Sequence, residues 1–363
     1  MLKDNQSTVP TTGKDQANKG KRHRISRHVR WGVTAFGAAL VLEFLVLPEL
    51  AGARHALVLL GKVNIAFLLV GVLAEVAALL AYAQLTYTVL PESSLSRFRL
   101  FRIDMSTLAL SHVLPGGTAP GSALGYRLLT ESGIQGGDAA FALGTQGIGS
   151  AMVLNLIFWI ALVISIPISG YNPLYGTAAI VGALLLAAFA GMIITLTKGE
   201  AGVAERVGRI AERLPFLSGD TVIKTVKHLA ERLRTLASDR RLLAQATIWA
   251  AANWVLDATS LWIFLAAFGH LVSPVDLAVA YGLAYILAVI PVTPGGLGVV
   301  EGVLIPTLIG FGTPRTIAIL GVLGYRVVNF WLPIPAGSLA YLSLRFQRPN
   351  WTKLHRTKHD VAR

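Results

Sequence analysis

The chain contains no cysteine, and few of its residues carry a charge. Without a thiol among its 363 residues, disulfide bonds, thiolate metal sites and cysteine nucleophiles are excluded. Charged residues make up 14% of the chain, whereas an average soluble protein has roughly 25%. Hydrophobic residues make up 54%. This composition excludes an ordinary soluble domain and indicates a membrane protein.

The sequence also lacks the usual signatures of enzymes. It has no H-E-x-x-H motif and no D-x-x-D cluster, so we predict no metal and no cofactor. "GTQGIGS" at 144–150 is weakly similar to a nucleotide-binding loop, but it lies in an apolar segment, and we expect its small residues to allow close helix packing. Ser111 and His112 are only neighbours in sequence, which does not make a nucleophile and its base. A transporter is therefore expected rather than an enzyme.

Long apolar runs recur along the chain. A helix of about 20 apolar residues is needed to cross the hydrocarbon core of a bilayer. We predict an all-α polytopic membrane protein with about six full spans, at 31–48, 63–87, 139–168, 174–197, 242–268 and 315–342. Two further apolar regions, 103–132 and 277–311, are each interrupted by proline and glycine. Their pieces of roughly a dozen residues are too short to cross ~30 Å.

Basic residues are unevenly distributed. Of the 32 lysines and arginines, 27 fall in four segments, namely 1–30, 97–102, 198–241 and 343–363. Because positive loops stay on the cytoplasmic side, these segments and both termini are predicted to be cytoplasmic. The first is expected to be a disordered tail, the third an amphipathic segment on the membrane surface, and the last a basic tail. Nucleic-acid binding is not favoured, because every basic segment adjoins an apolar one.

The two interrupted regions are predicted to be re-entrant hairpins. With cytoplasmic termini and six spans, 103–132 must enter and leave on the cytoplasmic side, and 277–311 must enter and leave on the outer side. Hairpins of opposite direction in two membrane halves, 31–197 and 242–342, are typical of inverted-repeat transporters. The repeat is weak in sequence beyond the PGG that each hairpin contains.

Each hairpin is broken at a proline followed by two glycines, Pro115 to Gly117 and Pro294 to Gly296. Proline and glycine interrupt helices, and freed backbone groups are tolerated at membrane depth only beside protein or a wet cavity. The breaks therefore predict a central polar cavity, where helix N-termini suit an anionic group such as a phosphate. The alternative is that each PGG only ends a helix at the headgroup level.

Two arginines fall inside predicted membrane helices, and each follows a Gly-Tyr pair. An arginine in a span costs at least ~2.5–3.5 kcal/mol, so it normally faces a cavity or a partner. Arg326 shares a helix face with Asn329, and Arg127 precedes Glu131 by four residues. A guanidinium suits phosphate recognition. The alternatives are a local Arg127–Glu131 ion pair and a structural tie between Arg326 and a carboxylate.

Three acidic residues are candidates for function. Glu301 follows the second break, and Asp257 and Glu75 lie within predicted spans. Glu301 and Asp257 could pair with Arg326, bind a cationic headgroup or carry a proton. Glu75 could take part in ion or proton coupling, or could instead make a polar contact between helices. The predicted headgroup-binding residues are Pro115, Gly116, Gly117, Arg127, Pro294, Gly295, Gly296, Gly298, Glu301, Arg326 and Asn329, and the predicted coupling residues are Glu301, Asp257 and Glu75.

Three stretches carry a family resemblance. "HVLPGGTAPGSALGYRLL", "PVTPGGLGVVEG" and "GYRVVNFWLPIPAG" resemble the transmembrane domain of lysylphosphatidylglycerol synthase/flippase proteins, over most of residues 31–345. The resemblance implies a lipid-translocating domain with re-entrant helices around a cavity, in which both PGG breaks, Glu301 and Arg326 line the headgroup path. Beyond 345 only a short basic tail follows. Synthesis of a lysyl lipid is therefore not expected, because the aminoacyl-transferase domain is missing.

Together these features lead to one main hypothesis and two alternatives. The main hypothesis is a bacterial plasma-membrane flippase that moves a phosphate-containing headgroup, of a phospholipid or a polyprenyl-phosphate-linked sugar, through a central polar cavity. It has no nucleic-acid partner and a homodimer is possible. The alternatives are a membrane enzyme that modifies lipid headgroups and a non-transporting scaffold that recruits partners through 198–241.

Overall fold

A computed structural model of the chain describes residues 63–90, 95–114, 116, 118–169, 239–288 and 293–346, with isolated positions between 179 and 238. Within these residues the chain forms helices and turns and no strand, so the all-α prediction is confirmed. The predicted first span, the N-terminal tail and most of 174–197, 198–238 and the C-terminal tail lie outside the described residues. Residues 343–346, predicted as the start of that tail, continue the last helix.

The helices follow one another with short connections. Their bounds are α1 (Ile65–Val89), α2 (Arg97–Val113), α3 (Ala119–Glu131), α4 (Gly136–Gly144), a first π-helix (Thr145–Gly149), α5 (Ser150–Ser169), α6 (Arg240–Ala267), α7 (Pro274–Ala288), a 3-10 turn (Pro294–Gly296), α8 (Val299–Gly310), α9 (Arg315–Arg326), a second π-helix (Val327–Trp331) and α10 (Pro333–Phe346).

Four helical stretches in the described part are long and apolar enough to cross a membrane. They are Ile65–Val89, Gly136–Ser165, Arg240–Ala267 and Arg315–Phe346. These stretches coincide with four of the six predicted spans. The second and the fourth are not uninterrupted α-helices, because each contains a π-helix. Each predicted hairpin contains two shorter helices separated at the PGG motif.

The faces of α1 are arranged as expected for a helix in lipid. Ile65, Leu69 and Leu73, spaced four residues apart, point outward and are exposed, whereas Glu75 and Ala78 are buried. The outward face is thus the more apolar one, the reverse of a helix on a soluble protein. The buried core lies between α5, α6, α7, α8 and α9, and its members include Leu261, Phe264, Leu265, Ala280, Leu304 and Val322.

The same order of elements occurs twice. A helix, a break, a shorter helix, a turn, a helix, a π-helix and a final helix run from α2 to α5 and again from α7 to α10. The first helix of each series packs against the last helix of the other, because α2 contacts α10 and α7 contacts α5. The two series therefore exchange partners in a reciprocal way.

Small residues let these reciprocal crossings approach closely. A Cβ added to Gly337 of α10 would lie 2.1 Å from the carbonyl oxygen of Met105 in α2. A Cβ added to Gly282 of α7 would lie 2.8 Å from Cβ of Phe158 in α5. Close backbone approach at small residues is a common way for membrane helices to associate. The predicted close packing at 144–150 is wrong for Gly144 and Gly147, which have open space around them.

We expect Gly337→Ala to destabilise the protein, because the added methyl group meets a backbone oxygen that cannot easily move. Overpacking of this kind costs about 1–3 kcal/mol. Gly302→Ala is the matched control, since Gly302 lies in α8 with open space where a Cβ would be, and alanine is favoured there by about 0.5–1 kcal/mol. Thermal unfolding of the purified variants in detergent measures both. Equal melting temperatures for the two variants would contradict the tight α2–α10 crossing.

Candidate functional site at the helix breaks

The second break is a tight turn that only glycine can form. Gly295 and Gly296 have φ angles of 53° and 71°, in the left-handed region that other residues avoid. A Cβ on Gly295 would lie 2.5 Å from Cε2 of Phe330 and 2.8 Å from Cδ2 of His112. Backbone conformation and crowding therefore both require glycine, and the turn lies directly against the second π-helix and the end of α2.

The first break lies beside this turn. Gly116 has a φ angle of 110°, whereas Pro115 and Gly117 lie outside the described residues. Three residues before the break, the His112 ring stacks on Phe330 at 4.5 Å, and its Nδ1 lies 3.0 Å from the Phe330 carbonyl oxygen. The structure thus brings the neighbourhoods of the two PGG motifs together. The sequence analysis considered His112 only as a neighbour of Ser111 and did not predict this contact.

A buried ion pair lies next to the breaks. Nε of Arg326 donates to Oε1 of Glu301 at 2.5 Å, and Arg326 is only 3% exposed. The guanidinium also lies over the Phe330 ring, 4.6 Å from its centroid. The other oxygen of Glu301 accepts the backbone N–H of Gly298 at 2.6 Å. The predicted tie between Arg326 and a carboxylate is therefore present, and Glu301 is the partner.

Asn329 joins this pair to two more carboxyl groups. Its Oδ1 accepts from Nη1 of Arg326 at 3.2 Å. Its Nδ2 lies 3.1 Å from Oε1 of Glu75 and 3.0 Å from Oδ1 of Asp257. Since both acids contact the same nitrogen, their carboxyl groups lie side by side. The coupling candidates Glu75, Asp257 and Glu301 therefore belong to one network, which we call the central cluster together with Arg326 and Asn329.

Three tyrosines, which the sequence analysis did not single out, complete the network. The hydroxyls of Tyr281 and Tyr325 donate to the two oxygens of Asp257 at 2.5 and 2.7 Å. The Tyr285 hydroxyl bonds to that of Tyr325 and donates to Asn329 at 3.2 Å. Two signals in the sequence point to them. Tyr281 and Tyr285 are four residues apart on α7, and Tyr325 directly precedes Arg326.

The central cluster is short of positive charge. It contains three carboxyl groups and one guanidinium, and all four groups are buried. Burying unpaired charge is costly, so a buried carboxyl normally gains a partner or takes up a proton. Oε2 of Glu75 and Nη2 of Arg326 have no hydrogen-bond partner among the described residues. Protons on the carboxyl groups, or a bound cation, are needed to balance the charge.

The helix N-terminus after the second break is already occupied. The sequence predicts that α8 presents free N–H groups to an anionic ligand, but the side chain of Glu301 accepts the Gly298 N–H instead. Glutamate three residues into a helix commonly folds back in this way. Most polar groups of the central cluster contact one another directly. The predicted polar cavity stays a prediction.

An apolar cavity lies beyond Tyr281. Its volume is about 320 Å³, and it lies between α5, α6 and α7. The aromatic rings of Tyr281 and Trp254 lie on its wall, with their centroids 6.2 Å apart. The Tyr281 side chain therefore lies between this apolar cavity and the carboxylate of Asp257.

Arg127 lies apart from the central cluster. Its side chain is 67% exposed, and its Nε lies 2.8 Å from Oε1 of Glu131 in the same helix. The alternative of a local ion pair therefore describes its contacts. The two Gly-Tyr-Arg motifs of the sequence thus have different environments, one at the surface of α3 and one buried at the end of α9.

Residues 30–337 match the family described as the lysylphosphatidylglycerol synthase transmembrane region. The chain belongs to this family. The match covers every member of the central cluster and both series of helices up to Gly337 in α10. The resemblance inferred from the PGG and Gly-Tyr-Arg motifs is therefore confirmed, and the protein is a membrane protein.

The chain is similar to several prokaryotic membrane proteins. A UPF0104 membrane protein of Methanothermobacter thermautotrophicus is 23% identical over 259 residues, 67% of this chain and 72% of the relative. The inner membrane protein YbhN of Escherichia coli is 31% identical over 127 residues, 35% of this chain and 37% of the relative. In three other matches the aligned part covers only 30%, 27% and 52% of the relative's length. These names assign no activity.

We expect the Arg326–Glu301 pair to show strong coupling in a double-mutant cycle. Arg326→Met alone leaves buried carboxylates without their cation, and breaking a buried pair costs about 3–5 kcal/mol. Arg326→Met with Glu301→Gln recovers much of that loss. Arg127→Met is the surface control, because an exposed ion pair in water contributes little to stability. Denaturation midpoints in detergent are measured for these three variants and for Glu301→Gln alone. Additive losses for Arg326 and Glu301 would refute the coupling.

Proposed function

We propose that this protein is a lipid translocator that moves a phosphate-containing headgroup between leaflets past the central cluster. The acyl chains stay in the bilayer, so only the polar headgroup needs a path through the protein. Family membership supports a membrane domain of this type, and the buried polar network at the meeting point of two helix breaks supports a path at that place. Both termini are placed in the cytoplasm on the basis of the charge distribution.

The contacts of Glu301 carry the proposal. Its carboxylate bridges the guanidinium of Arg326 and the N-terminal amide of α8. A guanidinium and a helix N-terminus are the two groups that most often bind phosphate in proteins. Glu301 therefore occupies the position that a phosphate would take, and the closed arrangement is held by a carboxylate in place of the substrate.

Exchange of Glu301 for a phosphate gives a simple cycle. When Glu301 takes up a proton, it loses its attraction to Arg326, and the phosphate replaces it on the guanidinium and on the Gly298 N–H. Nη2 of Arg326, which lacks a partner in the described part of the chain, supplies a further donor. Return of the ionised carboxylate then expels the headgroup.

The repeated order of elements suits alternating access. We propose that α2–α3 and α7–α8 are re-entrant hairpins of opposite direction, and that the two series are inverted repeats. Transporters of that architecture expose a central site to one side and then to the other as one repeat moves against its counterpart. The close approach of Gly295 to His112 joins the two hairpins at their breaks, where we propose that such motion is centred.

The driving force is proposed to be a proton gradient or the membrane potential, because the sequence has no ATP-binding motif. Moving one charge through 100 mV is worth about 2.3 kcal/mol. The three carboxyl groups of the central cluster can carry the protons that couple such a gradient to headgroup exchange.

We expect Arg326→Lys to abolish lipid movement, since an ammonium group cannot reproduce the planar, bidentate contacts of a guanidinium. Purified protein is placed in vesicles with a panel of headgroup-labelled lipids, and the label exposed on the opposite leaflet is measured. Arg127→Lys makes the same change after the same Gly-Tyr pair at an exposed position, and it should retain transport.

Two results would reject this reading. Normal transport by Arg326→Lys would show that the guanidinium of Arg326 is not needed on the headgroup path. Lipid recovered from the vesicles is weighed by mass spectrometry, because an enzyme alters the mass of the lipid and a translocator does not. A changed mass would therefore favour the headgroup-modifying alternative.

We expect Glu301→Gln to bind headgroup more tightly and to lose its response to an imposed pH gradient. A neutral amide competes more weakly than a carboxylate for Arg326, so the phosphate displaces it more readily, but it cannot release or take up a proton. Binding of a soluble phosphate-containing headgroup is measured by calorimetry at several pH values. Weaker binding by Glu301→Gln than by wild type would contradict the exchange mechanism.

A further inference from the structure

Another buried carboxyl group, that of Asp104, lies in the first series of helices, outside the central cluster. Asp104 of α2 is 1% exposed. Its Oδ1 accepts from Nε2 of Gln146 at 3.2 Å, and the same nitrogen donates to Oγ1 of Thr86 at 2.7 Å. Oδ2 of Asp104 has no hydrogen-bond partner among the described residues. We call Asp104, Gln146 and Thr86 the Asp104 cluster.

The two clusters are built in the same way. Gln146 belongs to the first π-helix and Asn329 to the second. Each carboxamide donates to a buried carboxyl group, Gln146 to Asp104 and Asn329 to Asp257. π-helices are rare and frequently lie at functional sites, because the extra residue redirects a side chain. Both π-helices thus present an amide to an acid inside the membrane domain.

One helix takes part in both clusters. Glu75 of the central cluster and Thr86 of the Asp104 cluster lie on α1, eleven residues apart. At 1.5 Å per residue this separation is about 16 Å along the helix axis, and eleven residues are close to three whole turns. The two side chains therefore share one face of α1 at different depths. The two polar clusters therefore lie one after the other along a single helix, α1.

The surroundings of Asp104 supply little charge to balance it. From α1, Tyr82 and Thr86 face it, and from α3 and α10 the closest approaches to α2 are made by Gly121, Gly125 and Gly337. The charged residues of those neighbouring helices are Glu75, Arg127, Glu131 and Arg345. Those on α2 itself are Arg97, Arg99 and Arg102, with His112 at its end. Arg127 and Glu131 pair with each other. A buried carboxylate with an unpaired oxygen is unfavourable, and a proton removes the cost.

We propose that Asp104 is a proton-binding site, in the second of the two polar clusters that lie along α1. A proton on Oδ2 makes the carboxyl group neutral while Oδ1 still accepts from Gln146. The ligand is a proton because Asp104 is the single carboxyl group in its cluster, and one carboxyl and a hydroxyl form too small an oxygen cage for a metal cation. Its role in coupling rests on the proposed function, whereas proton binding itself does not.

Infrared difference spectroscopy tests the site without any transport assay. The full-length protein is titrated in lipid nanodiscs, and the stretching band of protonated carboxyl groups is followed as the pH is lowered. Asp104→Asn should remove one component of that band, from a carboxyl group that exchanges slowly with heavy water. Glu131→Gln changes an exposed carboxyl group of the same series and should leave the component in place.

If Asp104→Asn folds poorly, a second variant, Gln146→Leu, tests the proton-binding site. Gln146→Leu removes the donor to the carboxylate, so the ionised form loses stabilisation and the midpoint of the component moves to higher pH. The proposal is overturned if Asp104→Asn folds and retains every component of the band. It is equally overturned if the Gln146→Leu midpoint equals that of wild type, or if the component responds to sodium at fixed pH and not to protons.

Vesicle transport then separates this inference from the proposed function. If lipid moves, its stimulation by an imposed pH gradient should be lost in Asp104→Asn and kept in Glu131→Gln. Retained stimulation in Asp104→Asn would overturn the coupling role. If wild type moves no lipid while the infrared component is present and Asp104-dependent, the translocator proposal fails and the proton site stands.

Discussion

The arrangement of this membrane domain depends on the partner that a buried arginine must have. Arg326 lies inside a stretch long enough to cross a bilayer, where a lone guanidinium would be expensive. Glu301 supplies the balancing charge and simultaneously caps the helix that follows the second break. The broken helix and the buried ion therefore stabilise each other. Asn329 also binds Glu75 of α1 and Asp257 of α6. The network therefore holds three distant parts of the chain together.

The sequence predicts the interruptions well because they depend on local chemistry. Proline and glycine disfavour helices through their own backbone properties, and PGG marks both breaks without knowledge of the fold. Apolar length likewise locates the four stretches that could span a membrane. The sequence analysis limited the possible partners of Arg326 to two acids, Glu301 and Asp257. It could do so because the apolar regions contain few charged residues that could pair with an arginine.

Features that depend on packing between distant segments were not predictable in the same way. The stacking of His112 on Phe330 requires two residues far apart in the chain to meet, and neither has a motif that indicates it. The π-helices leave no clear trace in hydrophobic periodicity, since the outward faces of α5 and α10 are apolar as well as the buried ones. Gln146 was treated as part of a small-residue packing segment, and its contact with Asp104 emerges only when α1, α2 and the first π-helix are placed together.

The second π-helix also sets which side of α10 meets its neighbour. One residue more than an α-helical turn rotates everything beyond it by about 100°. Gly337 lies against Met105 in α2, and without the extra residue a different position of α10 would face α2. The extra residue near Asn329 therefore has two effects. It sets the polar contacts of Asn329 within the membrane domain, and it sets which face of α10 packs against α2.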